Sequence, residues 1–143
     1  MILNQQVCFT VHKLARQFDQ LYRPLLERFE LTYPQYLVLL VLWEENQLSV
    51  TQIGERVQLN SGTLSPMLKR MEASQLVLRQ RSQTDERKVV IVLTDKAKIL
   101  EADVKAAVVN CFGALDLPVE QEENILAKLN DLITVINKGS NIK

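Results

Sequence analysis

Residues 49–73 read SVTQIGERVQLNSGTLSPMLKRMEA, and this stretch decides the fold. Ser49, followed three residues later by Gln52, forms a capping box that opens a short helix. The polar segment 58–62 is then predicted to be a turn with a cap, and a second helix follows over about 63–73. Two short helices joined by a tight turn, the second carrying basic residues near its end, are a candidate helix-turn-helix.

The periodicity changes after this pair of helices. Residues 76–81 (LVLRQR) and 88–93 (KVVIVL) are rich in β-prone side chains, and they flank the polar segment 82–87. This pattern predicts a β-hairpin. A hairpin that directly follows a helix-turn-helix is the wing of a winged-helix domain.

A long amphipathic helix is predicted at the start of the chain. Its apolar side chains recur at helical spacing over about six turns, at Val7, Val11, Leu14, Phe18, Leu21, Leu25 and Phe29. A stripe of this length exceeds what one domain face usually needs, and it hints at a second chain. Thr32 and Gln35 then form another capping box, with Pro34 in the first turn, before the apolar core helix 36–44.

Two further helices are predicted after the hairpin. Thr94 caps a helix over about 95–112, and Pro118 starts the last helix. The apolar face of that last helix consists of Ile125, Leu129, Leu132 and Ile136. The predicted order is α-α-α-α-β-β-α-α, so the fold class is mainly α with a two-stranded wing.

Composition limits the function classes. With 143 residues the chain fits one domain, and 47% hydrophobic with 24% charged residues is ordinary for a globular protein. No run approaches the roughly 20 apolar residues of a membrane span, and the first residues lack the pattern of a signal peptide. A cytoplasmic protein is therefore expected. With two cysteines and one histidine, we expect neither a disulfide framework nor a metal or cofactor site.

The net charge of zero hides an asymmetry. Residues 52–98 carry nine Lys/Arg against five Asp/Glu, which gives +4. Residues 1–51 carry four against five and residues 99–143 four against seven, which gives −1 and −3. Positive charge in the middle third indicates a polyanionic partner such as DNA.

The second helix of the helix-turn-helix carries short polar side chains that can reach base edges and phosphates in a major groove. The candidate DNA-binding residues here are Asn60, Ser61, Gly62, Thr63, Ser65, Pro66, Lys69 and Arg70. Gly62 permits close backbone approach, and Pro66 is expected in about the first turn, where its missing N–H costs little. An ordinary surface helix with a polar start is the alternative, which the basic hairpin makes less attractive.

The wing adds four basic residues, Arg79, Arg81, Arg87 and Lys88. A cationic hairpin tip can enter the minor groove, where negative potential is concentrated. Phosphate would repel Asp85, so this residue is predicted to orient an arginine or the turn backbone. The alternative is a solvated hairpin tip without a partner.

Cys8 lies on the apolar stripe of the first helix, and a small buried hydrophobe is the default interpretation of such a thiol. A reactive thiol needs polar donors that stabilise the thiolate. Tyr22 and Tyr33 carry suitable hydroxyls, but the sequence alone does not bring them to Cys8. His12 lies one turn away and is more simply an interface histidine.

Across nearly its whole length the chain resembles the MarR family, and within it the organic-hydroperoxide-sensing (OhrR-type) subgroup. The resemblance is carried by QVCF around Cys8, LYRPLL (21–26), LTYPQYLVLLVLWE (31–44), LNSGTLSPMLKRME (59–72) and TDERKVVIVLT (84–94). It implies a homodimer in which about 1–31 and 95–143 are dimerisation helices and about 32–94 form the winged DNA-binding lobe of a single domain, 1–143.

The resemblance also implies a sensing site. Its reactive cysteine falls on Cys8, the two thiolate-binding tyrosines fall on Tyr22 and Tyr33, and organic hydroperoxide oxidises the thiol to a sulfenic acid. In one branch a second cysteine of the partner subunit then forms a disulfide, and Cys111 holds a comparable place. In the other branch a small thiol forms a mixed disulfide with the oxidised cysteine instead. His12, where an aromatic residue is expected in relatives, is a departure within this pocket.

The sequence therefore predicts a dimeric repressor that binds a pseudo-palindromic double-stranded operator and is released by peroxide; it is not expected to be an enzyme. Three alternatives stay open. They are a MarR-type regulator released by a small aromatic ligand, a thiol peroxidase, and a protein-interaction module that uses the same fold without DNA.

Overall fold

The structure, a computed structural model, describes residues 2–3, 6–82, 85 and 87–139. The elements are α1 (Val7–Glu27), α2 (Tyr33–Glu44), α3 (Val50–Val57), α4 (Ser61–Ala73), β1 (Val77–Arg81), β2 (Val89–Leu93), α5 (Asp95–Gly113) and α6 (Val119–Gly139). The predicted order α-α-α-α-β-β-α-α and the mainly α class are confirmed. The chain forms two compact units, Met1–Val108 and Val109–Lys143, and each is described by itself.

Helix α2 is the centre of the first unit. It begins where the sequence predicted, because the backbone N–H of Thr32 donates to Gln35 Oε1 at 2.9 Å. Its apolar residues surround the whole helix, so several faces are buried at once. The buried core side chains of α2 are Tyr36, Val38, Leu39, Val41 and Leu42.

The second capping box, at the start of α3, is also confirmed. The Ser49 N–H donates to Gln52 Oε1 at 2.9 Å, and Ser49 Oγ accepts from the Gln52 N–H at 3.2 Å. Gln58 ends α3 in the left-handed region, with φ 56°. The turn that follows is tight, since a Cβ on Gly54 would lie 2.7 Å from the carbonyl oxygen of Leu59.

Helix α4 begins at Ser61, two residues before the predicted start. Asn60 is its cap, because Asn60 Oδ1 accepts the Thr63 N–H at 2.9 Å. Pro66 therefore lies in the second turn and not in the first. The helix consequently lacks the bond that an N–H at this position would donate to the carbonyl of Gly62.

The predicted hairpin is confirmed to within a residue at each strand. Strands β1 and β2 pair antiparallel, with Val77 opposite Leu93 and Arg81 opposite Val89. A third segment joins the sheet, because the Ile91 N–H donates to the carbonyl of Leu48 at 2.8 Å. The wing is thus fixed to the start of the helix-turn-helix. Within the predicted tip, residues 83, 84 and 86 lie outside the described part.

Thr94 caps α5 as predicted, since its Oγ1 accepts the Ala97 N–H at 3.2 Å. The Trp43 indole N–H donates to the Ala97 carbonyl at 3.0 Å, which joins α2 to α5. In α6, all of which the structure describes, no residue is buried.

Among the described residues, no helix combines the length and apolar character needed to cross a bilayer. Within the same part of the chain, His, Cys, Asp and Glu side chains nowhere group in threes that could hold a metal ion.

Candidate DNA-binding surface and thiol site

Helix α4 presents a polar face to solvent because its opposite face is anchored in the core. The core side chains of α4 are Leu64, Met67, Leu68 and Met71, all buried. The predicted contact residues on the outer face are exposed apart from half-buried Ser65; they are Asn60, Ser61, Gly62, Thr63, Pro66, Lys69 and Arg70. The first turn of α4 therefore offers short donors and acceptors, with two cations a turn later.

The wing carries its basic side chains on the surface. Arg81, Arg87 and Lys88 are exposed. Asp85 faces the turn itself, because its Oδ1 accepts the Arg87 N–H at 3.1 Å and its Oδ2 lies 3.8 Å from the Lys88 ammonium. This geometry agrees with the predicted orienting role of Asp85.

Arg79 contacts α4 through Glu72. Its Nε lies 3.6 Å from a carboxylate oxygen of Glu72, and its backbone N–H donates to Glu72 at 3.3 Å. The sequence did not indicate Glu72 as a partner, because the two residues belong to different elements. The pair links the wing to α4 and places a carboxylate beside the charge of Arg79.

A second ion-pair cluster fixes the first helix of the helix-turn-helix. The Arg56 guanidinium on α3 pairs with Glu44 and lies 3.3 Å from Glu45, at the end of α2. Sequence reasoning missed this cluster as well. These exposed ion pairs link α3 to the end of α2.

Cys8 lies in the first turn of α1 with its side chain exposed. Its Sγ is 3.5 Å from Oε1 of Gln6. Tyr22 is fourteen residues further along the same helix, and at 1.5 Å per residue the two lie about 21 Å apart. A single chain therefore does not bring Tyr22 to Cys8, and their predicted contact stays a prediction.

All three tyrosines of the chain form one cluster between α1 and α2. The ring centroids of Tyr22 and Tyr33 are 4.8 Å apart, and Tyr36 lies 5.8 Å from the first and 6.2 Å from the second. The structure thus brings the two predicted donors together and adds Tyr36, which sequence reasoning took for a plain core residue.

Two of these phenols have raised pKa values. Burial raises the pKa of Tyr33 above its usual value of 10.0, and the carboxylate of Asp19 adds to the effect. Burial, reinforced by Tyr33, also raises the pKa of Tyr36. Both hydroxyls are neutral and able to donate at neutral pH, as an ordinary phenol is, and the raised pKa values extend that range further into alkaline solution.

Cys111 lies near the end of α5, in the second compact unit, with a half-buried side chain. It is a free thiol. Its predicted role as a resolving cysteine stays a prediction.

The model of the family "Transcriptional regulator SarA/Rot" matches residues 20–104, from the middle of α1 into α5. This match covers more than half of the chain and all of residues 32–94, which are called the winged-helix unit below. The chain belongs to the SarA/Rot family. Members of this family are MarR-like winged-helix transcriptional regulators, so the predicted family is confirmed.

Two curated regulators are similar to this SarA/Rot-family chain. It is 48% identical to the transcriptional regulator TtmR of Methylorubrum extorquens over 127 residues, 89% of this chain and 65% of TtmR. It is also 48% identical to the organic hydroperoxide resistance transcriptional regulator of Bacillus subtilis over 101 residues, 71% of this chain and 69% of that protein. The chain thus spans just under two thirds of TtmR.

Among solved structures, the chain is similar to AbfR, which is known from Staphylococcus epidermidis. Reduced AbfR bound to DNA superposes with a TM-score of 0.78 at 39% identity, over 94% of each chain. Disulfide-formed AbfR superposes with a TM-score of 0.69 at 42% identity, over 92% of each chain.

Proposed function

We propose that this transcriptional regulator is a homodimeric repressor that binds a pseudo-palindromic DNA operator and is released when an organic hydroperoxide oxidises Cys8. One observation carries the DNA-binding part. The exposed polar turn at the start of α4 lies in the same compact unit as a wing whose Arg81, Arg87 and Lys88 are exposed. The DNA-bound structure of AbfR supports the same function.

On this proposal each side-chain class has its own role. Ser61 and Thr63 reach base edges and phosphates from the first helical turn, where backbone amides also favour phosphate. Lys69 and Arg70 contact the DNA backbone, and the wing enters the adjacent minor groove. The α4 helices of the two subunits, related by the dimer axis, would bind successive major grooves of the DNA.

Exposed apolar side chains support the homodimer. Val7, Val11 and Phe18 on α1 are exposed, although they share one apolar stripe. A second set is exposed on α6: Ile125, Leu126, Ile133, Val135 and Ile136. Apolar surface of this extent on helices marks an interface, and the dimerisation helices inferred from the resemblance contain both sets.

The sensing chemistry begins with a thiolate. The Cys8 thiolate attacks the distal oxygen of the hydroperoxide, the O–O bond breaks, and sulfur is oxidised to sulfenic acid. The departing alkoxide takes up a proton and leaves as the alcohol. Because one helix separates Cys8 from Tyr22 by about 21 Å, the phenol donors that stabilise the thiolate would come from the second chain.

The second step forms a disulfide. The thiol of Cys111 from the partner subunit attacks the sulfenic sulfur, a sulfur–sulfur bond forms, and water leaves. A small cellular thiol can carry out the same substitution. The disulfide-formed structure of AbfR supports a disulfide as the end state.

The test is a gel shift on the DNA upstream of the protein's own coding region. Reduced protein should shift this DNA, cumene hydroperoxide should abolish the shift, and dithiothreitol should restore it. Cys8→Ser should bind equally well and no longer respond, whereas Cys111→Ser should still form the sulfenic acid. Peroxide release that persists in Cys8→Ser would contradict the sensing role.

A cavity supports the second candidate, release by a small aromatic ligand. It measures about 320 Å³, and its walls combine Arg23 with the carboxylates of Asp19 and Glu27, beside Leu26, Leu31 and Tyr33. Apolar walls with a few polar groups suit a small aromatic ligand, and the two carboxylates disfavour a ligand with a negative charge. Saturable release by an uncharged aromatic compound, unchanged in Cys8→Ser and weakened in Arg23→Gln, would favour this candidate.

A further inference from the structure

Tyr36 occupies the buried side of the tyrosine cluster. Its side chain is 5% exposed, whereas Tyr33, one turn earlier on α2, is 38% exposed. Tyr36 is within ring-contact range of both neighbours, Tyr22 on α1 and Tyr33 on its own helix. Of the three tyrosine side chains, that of Tyr36 is therefore the most restricted by its surroundings.

Tyr36 contacts each of the other two rings. Tyr33 is the first residue of α2, where the helix constrains a side chain least and solvent reaches it. Tyr22 belongs to α1, and its ring meets that of Tyr33 directly, with the centroids 4.8 Å apart. Tilted aromatic contacts restrict the ring planes on both sides of the contact, so the buried Tyr36 ring adds a constraint to each ring of this pair.

We infer that Tyr36 is a positioning residue of the thiol site: its buried ring holds Tyr22 and Tyr33 so that their hydroxyls point together toward Cys8 of the partner subunit. This inference rests on the proposed function and deepens it. Tyr36 acts through its ring and contacts neither sulfur nor peroxide. A hydrogen bond weakens steeply when the donor O–H does not point at its acceptor, so phenols held in other orientations would stabilise the thiolate less.

The test measures the pKa of the Cys8 thiol from the pH dependence of its alkylation by iodoacetamide. All proteins carry Cys111→Ser, so Cys8 is the only thiol. Tyr36→Leu should raise the pKa of Cys8 by about one unit, which lowers the alkylation rate near neutral pH about tenfold. Tyr36→Phe keeps the ring and should match the parent.

Two results would overturn the inference. One is a Cys8 titration in Tyr36→Leu identical to the parent, and the other is a Tyr36→Phe variant shifted as far as Tyr36→Leu. If the leucine variant does not fold by circular dichroism, Tyr36→Met replaces it. Methionine fills an irregular space without presenting an aromatic plane, so the same shift is expected.

Two further variants distinguish the failure of this inference from failure of the proposed function. If Tyr22→Phe and Tyr33→Phe raise the pKa of Cys8 but Tyr36→Leu does not, the proposed donor role of the two phenols is supported and the positioning role of Tyr36 is wrong. If none of the variants changes the titration, the tyrosines do not stabilise the thiolate. Both proposals then fail at this site.

Discussion

At the residue scale, two glycines of the helix-turn-helix serve different purposes. A Cβ on Gly54 would lie 2.7 Å from the backbone oxygen of Leu59, which cannot move away without opening the turn. A Cβ on Gly62 would meet only Asn60 Oδ1, at 3.4 Å, and the backbone of Gly62 is not in the left-handed region. The fold therefore requires the first glycine and not the second.

Gly54→Ala should destabilise the free protein. The added methyl group overlaps the turn between α3 and α4, and overpacking of this kind costs about 1–3 kcal/mol. Thermal unfolding followed by circular dichroism measures the loss. An unchanged Tm would show that the turn relaxes readily, contrary to this account.

Gly62→Ala should have the opposite effect on stability and a separate effect on DNA. Alanine in place of a helical glycine stabilises by about 0.5–1 kcal/mol, so Tm should rise slightly. Operator affinity should fall more than tenfold, because a dimer would lose one contact in each subunit, each worth roughly 1–3 kcal/mol. Anisotropy titration measures affinity, and equal affinity would show that the backbone at Gly62 stays away from the DNA.

The tyrosine cluster predicts a loss of stability at alkaline pH. Tyr33 and Tyr36 have raised pKa values in the folded state, so above pH 10 the unfolded chain releases protons before the folded one. The free energy of unfolding is therefore unaffected below about pH 10 and falls as pH rises toward the folded-state pKa values. Urea unfolding at several pH values should show this, and Tyr36→Phe should reduce the slope.

At the element scale, contacts within a single chain do not account for the stability of α6. It has 21 residues, and in this fully described helix none is buried. Isolated helices are marginal in water, and most helical stability comes from packing an apolar face. Leu126, Ile133 and Ile136 form such a face, so a second copy is expected to cover it.

Ile133→Glu should convert the dimer to monomer, because a carboxylate replaces a side chain that is 54% exposed in the single chain and desolvated in the dimer. Ala127→Glu is the matched control, since Ala127 is exposed and nine residues at 100° each place it opposite Ile136 on α6. Analytical ultracentrifugation gives the mass. A dimeric Ile133→Glu would place the interface elsewhere.

At the scale of the whole molecule, charge is separated along the chain. Residues 52–98 carry +4 while the flanking segments carry −1 and −3. The structure places this charge in the winged-helix unit, and there some of it is already paired. Arg79 is held by Glu72, Arg56 by Glu44 and Lys88 by Asp85, so Arg81 and Arg87 are the stronger candidates for phosphate.

The salt dependence of operator binding should measure this directly. Each neutralised phosphate contributes about one unit to the slope of log K against log salt. Arg81→Gln should therefore reduce the slope by about two for a dimer, one for each wing. Arg16→Gln, an exposed arginine on α1, should leave it unchanged. If the unsubstituted protein, Arg81→Gln and Arg16→Gln all give the same slope, Arg81 of the wing does not contact a DNA phosphate.

The sequence by itself determined the elements and their order, because the signals for each lie within a few residues. Both capping boxes, at Thr32 and Ser49, begin helices as predicted, and the β-prone runs pair as a hairpin. The start of α4 was placed two residues late, because Ser61 and Gly62 resemble a turn. The hydrogen bond that the Thr63 N–H donates to Asn60 Oδ1 shows that Asn60 is the cap and that both residues are already helical.

The tertiary structure alone decided which distant side chains meet. Tyr22 and Tyr36 come together because α1 and α2 pack against each other, and Arg79 reaches Glu72 because the wing folds back beside α4. Such contacts depend on the angle at which two elements pack. That angle is set by the fit of many core side chains at once, so no local motif encodes it.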